Sequence, residues 1–243
     1  MGAPRLVDAH CHLHEYGFEE AVRIAGEMVV VAVSDDADSS LETLSISRAL
    51  DSVVPCVGIH PWEVGPDSLR EAERVCSLAL ESGVPCLGEV GLDRRFRAST
   101  FNRQVEVFRV FVDLAREHDL SLNVHAAGAW REVYEMVRGV ERVLFHWYTG
   151  PLDLLDLIVD SGFFVSVNPS VEVQERQRRV LERVPLENLL TESDGPYRYR
   201  GLELSPWLIP RVVRAVAEVK GVSPGEVVEA VYGNLRRFLG PRY

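Results

Sequence analysis

The chain alternates short apolar runs with longer segments of helical spacing, and this alternation recurs along its length. The apolar runs are rich in Val, Ile and Leu, which favours strands over loops. We predict strands at 6–10, 28–34, 53–59, 85–90, 121–124, 143–145, 163–167 and 189–191. Strands that alternate with helices build a parallel sheet, and eight such units predict a closed (β/α)8 barrel of the TIM type. An open, doubly wound sheet is the alternative.

Helical spacing fills most of the gaps between these strands. Helices are predicted at 68–81, 104–117, 131–138, 152–160, 211–220 and 224–238. In the segment 211–220, for example, the valines at 212, 213, 216 and 219 fall on one face. Barrels of this kind run to about 250 residues as one domain, so the 243 residues are expected to form a single domain, 1–243.

Composition limits the surroundings in which the chain works. With 47% hydrophobic and 26% charged residues, it has the balance of a globular protein with a sizeable core. We see neither an export signal nor an apolar stretch long enough to cross a bilayer, so a cytoplasmic protein with no membrane partner is expected. In that compartment the four cysteines are expected to be reduced, because they show no Cys-x-x-Cys spacing.

The net charge of −11 disfavours broad contact with a nucleic-acid duplex, which depends on many cationic contacts to phosphates. A chain end or a small substrate stays compatible with that charge. Basic residues are almost all arginines, and Lys220 is the only lysine.

The stretch Asp8-Ala9-His10-Cys11-His12 ends the first predicted strand. Side chains of a strand alternate between its faces, so Asp8, His10 and His12 are expected to point the same way. Imidazole is a common ligand for first-row metals, and a nearby carboxylate such as Asp8 can fix the orientation of a ligating ring. Taken alone, two alternating histidines fit an ordinary surface strand equally well.

Further ionisable residues end the later strands: His60, Glu89, His125, His146 and Asp194. In a barrel these ends meet at one rim, where catalytic groups gather. Any one of these histidines alone would be explained as a hydrogen-bonded core residue. Burying so many ionisable groups together is costly unless they bind cations, so the set predicts a metal centre.

These motifs, in this order, resemble the TatD-related metal-dependent hydrolases, a deoxyribonuclease family within the amidohydrolase superfamily. The resemblance rests on Asp8-Ala9-His10-Cys11-His12, Gly58-Ile59-His60-Pro61, Gly88-Glu89-Val90-Gly91-Leu92-Asp93, His125, His146 and Thr191-Glu192-Ser193-Asp194-Gly195-Pro196-Tyr197. It implies one divalent ion at His10, His12, Glu89 and Asp194. It implies a second ion at Glu89, His125 and His146, with Glu89 bridging. Zn, Mn, Mg and Co are all compatible with these ligand types.

Superfamily relatives often bridge two metals with a carboxylated lysine at the fourth strand. Lys220 lies far downstream, so Glu89 is the bridging group available there.

A two-metal centre of this kind suits phosphodiester hydrolysis. In that reaction we expect Asp194 to act as the base for the attacking water and His60 to contact a phosphate oxygen. Arg94 and Arg95 are candidate substrate contacts, although two solvated loop arginines would look the same in the sequence.

The chain also departs from the family at its substrate loops. His125 is followed by Ala126, Ala127 and Gly128, where an arginine is often found.

Three hypotheses follow: a nuclease acting on ends of DNA or RNA, a hydrolase of small esters, lactones or cyclic amides, and a barrel with a structural metal. The last is disfavoured, because the ligands are too few to saturate two ions. We favour the nuclease, because the family resemblance points to nucleic acid.

Two further sets of residues bear on that choice. Aromatic residues expected near the rim are Trp62, Trp147, Tyr148, Tyr197 and Tyr199. They would stack on the bases of a single strand or close a pocket around a small ester. The arginine-rich run 174–183 is interpreted as the solvated face of a helix rather than a phosphate track.

Overall fold

The computed structural model describes residues 3–240 and 243, so residues 1, 2, 241 and 242 of the predicted domain lie outside the described residues. An eight-stranded parallel sheet runs in chain order from β1 to β8. Its strands are β1 (Leu6–Cys11), β2 (Met28–Val33), β3 (Val53–Val57), β4 (Cys86–Gly91), β5 (Ser121–His125), β6 (Val143–Phe145), β7 (Phe164–Val167) and β8 (Leu189–Thr191).

Helices connect these strands. They are α1 (Phe18–Glu27), α2 (Ala37–Ala49), α3 (Ser68–Ser82), α4 (Phe101–His118), α5 (Trp130–Val137), α6 (Leu152–Asp160), α7 (Glu175–Arg183), α8 (Ile209–Lys220) and α9 (Pro224–Leu239). A small antiparallel pair, β9 (Arg198–Tyr199) and β10 (Leu202–Glu203), lies in the connection between β8 and α8.

The sheet curls until its last strand returns to its first. The Thr191 hydroxyl of β8 donates a hydrogen bond to the Val7 carbonyl of β1 at 2.6 Å. Beyond the strand ends, the Asp194 amide donates to the His10 carbonyl at 2.9 Å. The result is a nearly closed (β/α)8 barrel, which confirms the predicted fold class and argues against the open sheet.

The barrel interior and the layer between strands and helices form one apolar core. Strands β2 and β4 are buried along their whole length, as expected for strands covered on both faces. At Gly91, φ is 146° and an added Cβ would lie 2.0 Å from the His125 carbonyl oxygen. Glycine therefore allows β4 to approach β5 closely just where both strands carry candidate ligands.

One cysteine prediction is wrong. The structure joins Cys56 and Cys86 as a disulfide, whereas all four thiols were expected to be reduced. The two residues are register partners on β3 and β4, a proximity that their 30-residue separation in sequence does not reveal. Cys11 and Cys76 are free and buried.

Two features of the described helices concern membranes and the protein surface. Within residues 3–240 and 243, no helix combines the length and apolar character needed to cross a membrane. Helix α7 carries the arginine-rich run, and three of its arginines pair with acids: Arg178 with Glu182, Arg179 with Glu175 and Arg183 with Asp156. This is the solvated face that the sequence indicated.

Candidate metal centre

The ionisable residues at the strand ends meet around one carboxylate, that of Glu89 on β4. Its Oε2 lies 3.2 Å from His10 Nε2 and 3.4 Å from His12 Nε2. Its Oε1 lies 2.7 Å from His125 Nδ1 and 2.8 Å from His146 Nε2. Each oxygen of Glu89 therefore faces a different pair of histidines.

Asp194 closes the side of the centre that holds His10 and His12. Its Oδ1 lies 3.5 Å from His10 Nε2 and 3.6 Å from His12 Nε2. The backbone at Asp194 has a φ of 53°, in the left-handed region that non-glycine residues rarely adopt. The hydrogen bond from its amide to His10 holds this conformation, so the ends of β8 and β1 together aim the carboxylate at the centre.

His10 is oriented by an amide from β5. Asn123 Oδ1 lies 2.9 Å from His10 Nδ1, and Asn123 Nδ2 donates to the Ala9 carbonyl, which fixes the amide orientation. His10 Nδ1 is therefore the protonated nitrogen, and Nε2 carries a lone pair. His10 Nε2 is buried and lacks a hydrogen-bond partner within the described part of the chain. A lone pair held in this way at the centre of a cluster is suited to a cation.

His12 is oriented by a carboxylate instead. Asp35, which follows β2, lies 3.1 Å through Oδ1 from His12 Nδ1 and 3.1 Å through Oδ2 from His14 Nε2. Burial alone would raise the pKa of Asp35, but its contacts with the two histidines lower it below the usual range. Asp35 is therefore an anion that turns His12 Nε2 towards Glu89.

His125 is held between two carboxylates. Its Nδ1 faces Glu89, and its Nε2 lies 3.2 Å from Asp93 Oδ2. The same Asp93 oxygen accepts a hydrogen bond from Trp62 Nε1 at 2.5 Å. Burial raises the pKa of Asp93, but the bonds from His125 and Trp62 lower it to about 2. Asp93 thus orients His125 and ties it to the wall of the cavity.

His60 differs from the other histidines in that the nitrogen facing the centre carries a proton. The Trp62 backbone amide donates to His60 Nδ1 at 3.1 Å, so in the neutral ring the proton is on Nε2. That nitrogen lies 3.3 Å from Glu89 Oε1. Burial lowers the pKa of His60 below its ordinary value, which favours the neutral ring. His60 therefore presents an N–H donor to the centre.

The ionisation of Glu89 is coupled to that of the histidines around it. Burial would raise the pKa of Glu89, but its electrostatic interactions with the surrounding histidines lower it well below its usual range. Burial likewise would lower the pKa of His146, and the Glu89 charge raises it well above normal. Anionic Glu89 thus requires positive charge beside it, which a protonated histidine or a metal cation can provide.

The donor atoms fit divalent metal ions. Three groups around Glu89 have donors within 4.8 Å of one another: His10 with Glu89 and His146, His10 with His12 and Asp194, and His60 with Glu89 and His125. A fourth group lies beside them at His12, His14, Glu15 and Asp35. Imidazole and carboxylate ligands suit zinc, manganese and cobalt, and carboxylates also suit magnesium. The unpartnered lone pair of His10 and the anionic Glu89 both meet the needs of such an ion.

The centre lies at the base of a cavity of about 490 Å³. Arg95 lines this cavity. Arg94 lies outside the lining, paired with Glu132 at 2.9 Å and placed with its guanidinium 4.1 Å above the Phe101 ring. Arg94 and Arg95, both of which were expected to contact substrate, therefore have different surroundings, and only Arg95 lines the cavity.

Two other expectations need correction. Asp8 does not orient a histidine ring. Its Oδ1 accepts hydrogen bonds from the backbone amides of His10 and Ser193, and β1 shifts register after Asp8. Burial raises the pKa of Asp8 to about 7. Tyr148 is buried and donates its hydroxyl hydrogen to the Pro151 carbonyl, so it does not face the rim.

The orienting residues Asn123, Asp35 and Asp93 were missed by sequence reasoning. Asn123 and Asp93 lie in strands or motifs already noted, but their roles depend on contacts between distant segments. His10 and Asn123 are 113 residues apart, for example. A polar residue inside an otherwise apolar strand, as in Leu122-Asn123-Val124, is the signal that could have indicated Asn123.

A barrel that carries such a cluster of histidines and carboxylates at the C-terminal ends of its strands defines a metal-dependent hydrolase. A family model described as TatD related DNase matches residues 7–240. The chain therefore belongs to the TatD-related DNase family, which confirms the resemblance seen in its motifs. The chain is thus a metal-dependent hydrolase that acts on ester bonds.

Individual relatives match over nearly their full length. An uncharacterized metal-dependent hydrolase of Methanocaldococcus jannaschii is 28% identical, covering 98% of this chain and 98% of its own. The human deoxyribonuclease TATDN3 is 29% identical, covering 94% of this chain and 92% of its own. The crystal structure of YJJV, a TatD homologue from Escherichia coli, is 21% identical with a TM-score of 0.87, and the match covers 97% of this chain and 98% of that one. This last likeness shows the shared fold.

Proposed function

We propose that this chain is a metal-dependent nuclease that removes nucleotides from the ends of single-stranded DNA or RNA, with residues 1–243 acting as one domain. The observation that carries the proposal is the Glu89 carboxylate, whose two oxygens face separate pairs of histidines. One divalent ion would be held by His10, His12, Glu89 and Asp194. A second would be held by Glu89, His125 and His146.

Bound there, such ions would lower the pKa of a water molecule and stabilise the charge that develops on phosphate oxygens. The residues of the chain supply the rest. Asp194 would ligate through Oδ1, which faces His10 and His12, and its second oxygen would accept the proton of the attacking water. Asn123 and Asp35 keep His10 and His12 turned towards the centre, so the site is formed before substrate binds.

His60 would bind the phosphate rather than an ion. Its Nε2–H points towards the centre, because its Nδ1 accepts the Trp62 amide. A donor in that position can hydrogen bond a non-bridging phosphate oxygen and stabilise it as negative charge grows. Arg95 in the cavity lining is suited to a neighbouring phosphate of the same strand.

The cavity and the charge of the chain support an end-directed activity. A cavity of about 490 Å³ suits one small ligand or a strand terminus, not an extended duplex. The net charge of −11 also leaves few cations for contacts beyond the cavity. The family and the deoxyribonuclease relatives favour nucleic acid over the small esters, lactones and cyclic amides of the alternative.

A substrate panel tests this function. The protein is freed of metal, reloaded separately with Zn, Mn, Mg or Co, and offered end-labelled single strands, circular duplex DNA, a lactone and a cyclic amide. We expect metal-dependent release of terminal nucleotides and little cleavage of the circle. Hydrolysis of the lactone or cyclic amide, with no nucleotide released under any metal, would overturn the proposal.

A further inference from the structure

Aromatic side chains form an arc along one wall of the metal-centre cavity. Trp62, Tyr197, Trp147 and Tyr199 all line the cavity. Tyr197 has its ring centroid 6.5 Å from that of Trp62 and 6.0 Å from that of Trp147. The rings of Trp147 and Tyr199 are 5.0 Å apart. These four residues, here called the aromatic arc, present ring surface to the same space that the metal centre faces.

Polar side chains hold the two indoles of the arc in place. Trp62 Nε1 donates to Asp93, and Trp147 Nε1 donates to Gln174 Oε1 at 2.8 Å. Gln174 in turn donates through Nε2 to the Tyr199 hydroxyl at 2.9 Å. Rings fixed in this way lose little conformational freedom when a ligand binds, which favours affinity.

Packing alone does not explain the arc. Tyr197 is 43% exposed, and the neighbouring Phe96, which also lines the cavity, is 56% exposed. Large apolar groups left exposed inside a concave site are typical of ligand binding. The ligand that fits is flat and aromatic, and it must be joined to a group that reaches the metal centre.

The arc is linked to that centre on both sides. Trp62 shares the Asp93 carboxylate with His125, and the Tyr197 amide donates to the Asp194 carbonyl at 3.1 Å. The ring centroids of Trp62 and His60 are 5.3 Å apart, so a phosphate attached to a ring on the arc can reach His60 and the centre beside it. A nucleobase with its sugar phosphate has this combination of flat ring and nearby anion.

We propose that the aromatic arc is a stacking subsite for the base of the terminal nucleotide, a statement that rests on the proposed nuclease function. Stacking reads no hydrogen-bonding edge, so the subsite accepts any of the bases. The subsite therefore favours strand ends and single strands, since a base in a duplex is already stacked and paired. Stacking also contributes binding free energy where phosphate contacts are few.

Binding of reaction products tests the subsite without depending on turnover. Calorimetric titration of the metal-loaded protein compares 5′- and 3′-nucleoside monophosphates with the corresponding base-free deoxyribose phosphates. Because stacking on an aromatic side chain strengthens binding substantially, we expect the preferred nucleotide to bind about tenfold more tightly than its base-free counterpart. Tyr197→Ala should remove most of this difference, and Tyr197→Phe should keep it.

Trp207→Leu is the matched control, because Trp207 is an exposed indole outside the cavity lining that donates to Glu20. Equal affinity for nucleotides and base-free phosphates, or a preference that survives Tyr197→Ala, would overturn the subsite. Failure of the proposed function looks different. In that case nucleotides would bind with the preference described, yet no oligonucleotide would be cleaved.

Discussion

At the scale of single residues, Asp194 is the most informative position. In the proposed function its carboxylate both ligates an ion and takes a proton from water. Asp194→Asn keeps an oxygen that can coordinate but removes the base, so kcat should fall by at least about 100-fold. Metal content, measured on the same preparation, should change far less. A variant that keeps most of its turnover would show that another group is the base, with His60 the next candidate.

Arg94 and Arg95 form a natural pair of test and control. Arg95 lines the cavity, and Arg94 is paired with Glu132 outside it. Loss of one hydrogen-bonded charge on a phosphate should raise KM for a single strand by roughly tenfold in Arg95→Ala. Arg94→Ala should leave KM within about twofold, since exposed ion pairs contribute little. The reverse order of effects would place the phosphate contact at Arg94.

The sequence could predict the candidate ligands but not the residues that orient them. His10, Glu89 and His125 lie near the C-terminal ends of strands and Asp194 follows one, and barrel geometry brings strand ends together whatever the loops do. Asn123, Asp35 and Asp93 act through contacts whose existence depends on the packing of distant segments. The separation of Arg94 from Arg95 depends on the path of one loop, which carries no periodic signal.

At the scale of elements, helix α9 begins with a capping box. The Ser223 hydroxyl accepts the Glu226 amide, and the Glu226 carboxylate accepts the Ser223 amide. Ser223→Ala should lower the free energy of unfolding by about 1 kcal/mol. Ser77→Ala is the control, because Ser77 is an exposed serine inside α3 that bonds only to the preceding turn among the described contacts. Denaturant unfolding should show a clear loss for Ser223→Ala and no loss, or a small gain from the higher helix propensity of alanine, for the control. Equal effects would contradict the capping argument.

The predicted elements agree best where burial imposes a pattern. The strands at 143–145 and 189–191 and the helix at 152–160 have the bounds that the sequence indicated. Helices α1 and α2 were not among those predicted, whereas the arginine-rich run 174–183 was interpreted as the face of a helix and contains α7. Helix α2 is rich in serine and threonine, so its apolar periodicity is weak, and the context of the barrel sets its conformation. The two-residue strands β9 and β10 are too short to leave a periodic signal.

At the scale of the whole molecule, the acidic surface limits how nucleic acid can bind. If contacts are confined to the cavity near His60 and Arg95, two or three phosphates are neutralised. Each contributes a log-log salt slope of roughly −0.7 on single strands, so the total should be about −2. Titrations with an end-labelled strand over a range of salt concentrations measure this slope. A slope steeper than about −4 would indicate an extended phosphate track that the cavity does not provide.

The proposed centre holds two divalent ions with Glu89 as the shared ligand. The most direct measurement is elemental analysis of metal-replete protein combined with anomalous diffraction from its crystals. We predict two ions per chain, one beside His10, His12 and Asp194 and the other beside His125 and His146, with Glu89 between them. Glu89→Gln should reduce the occupancy of both sites. Metal-replete crystals without a specific ion next to Glu89 would contradict the account.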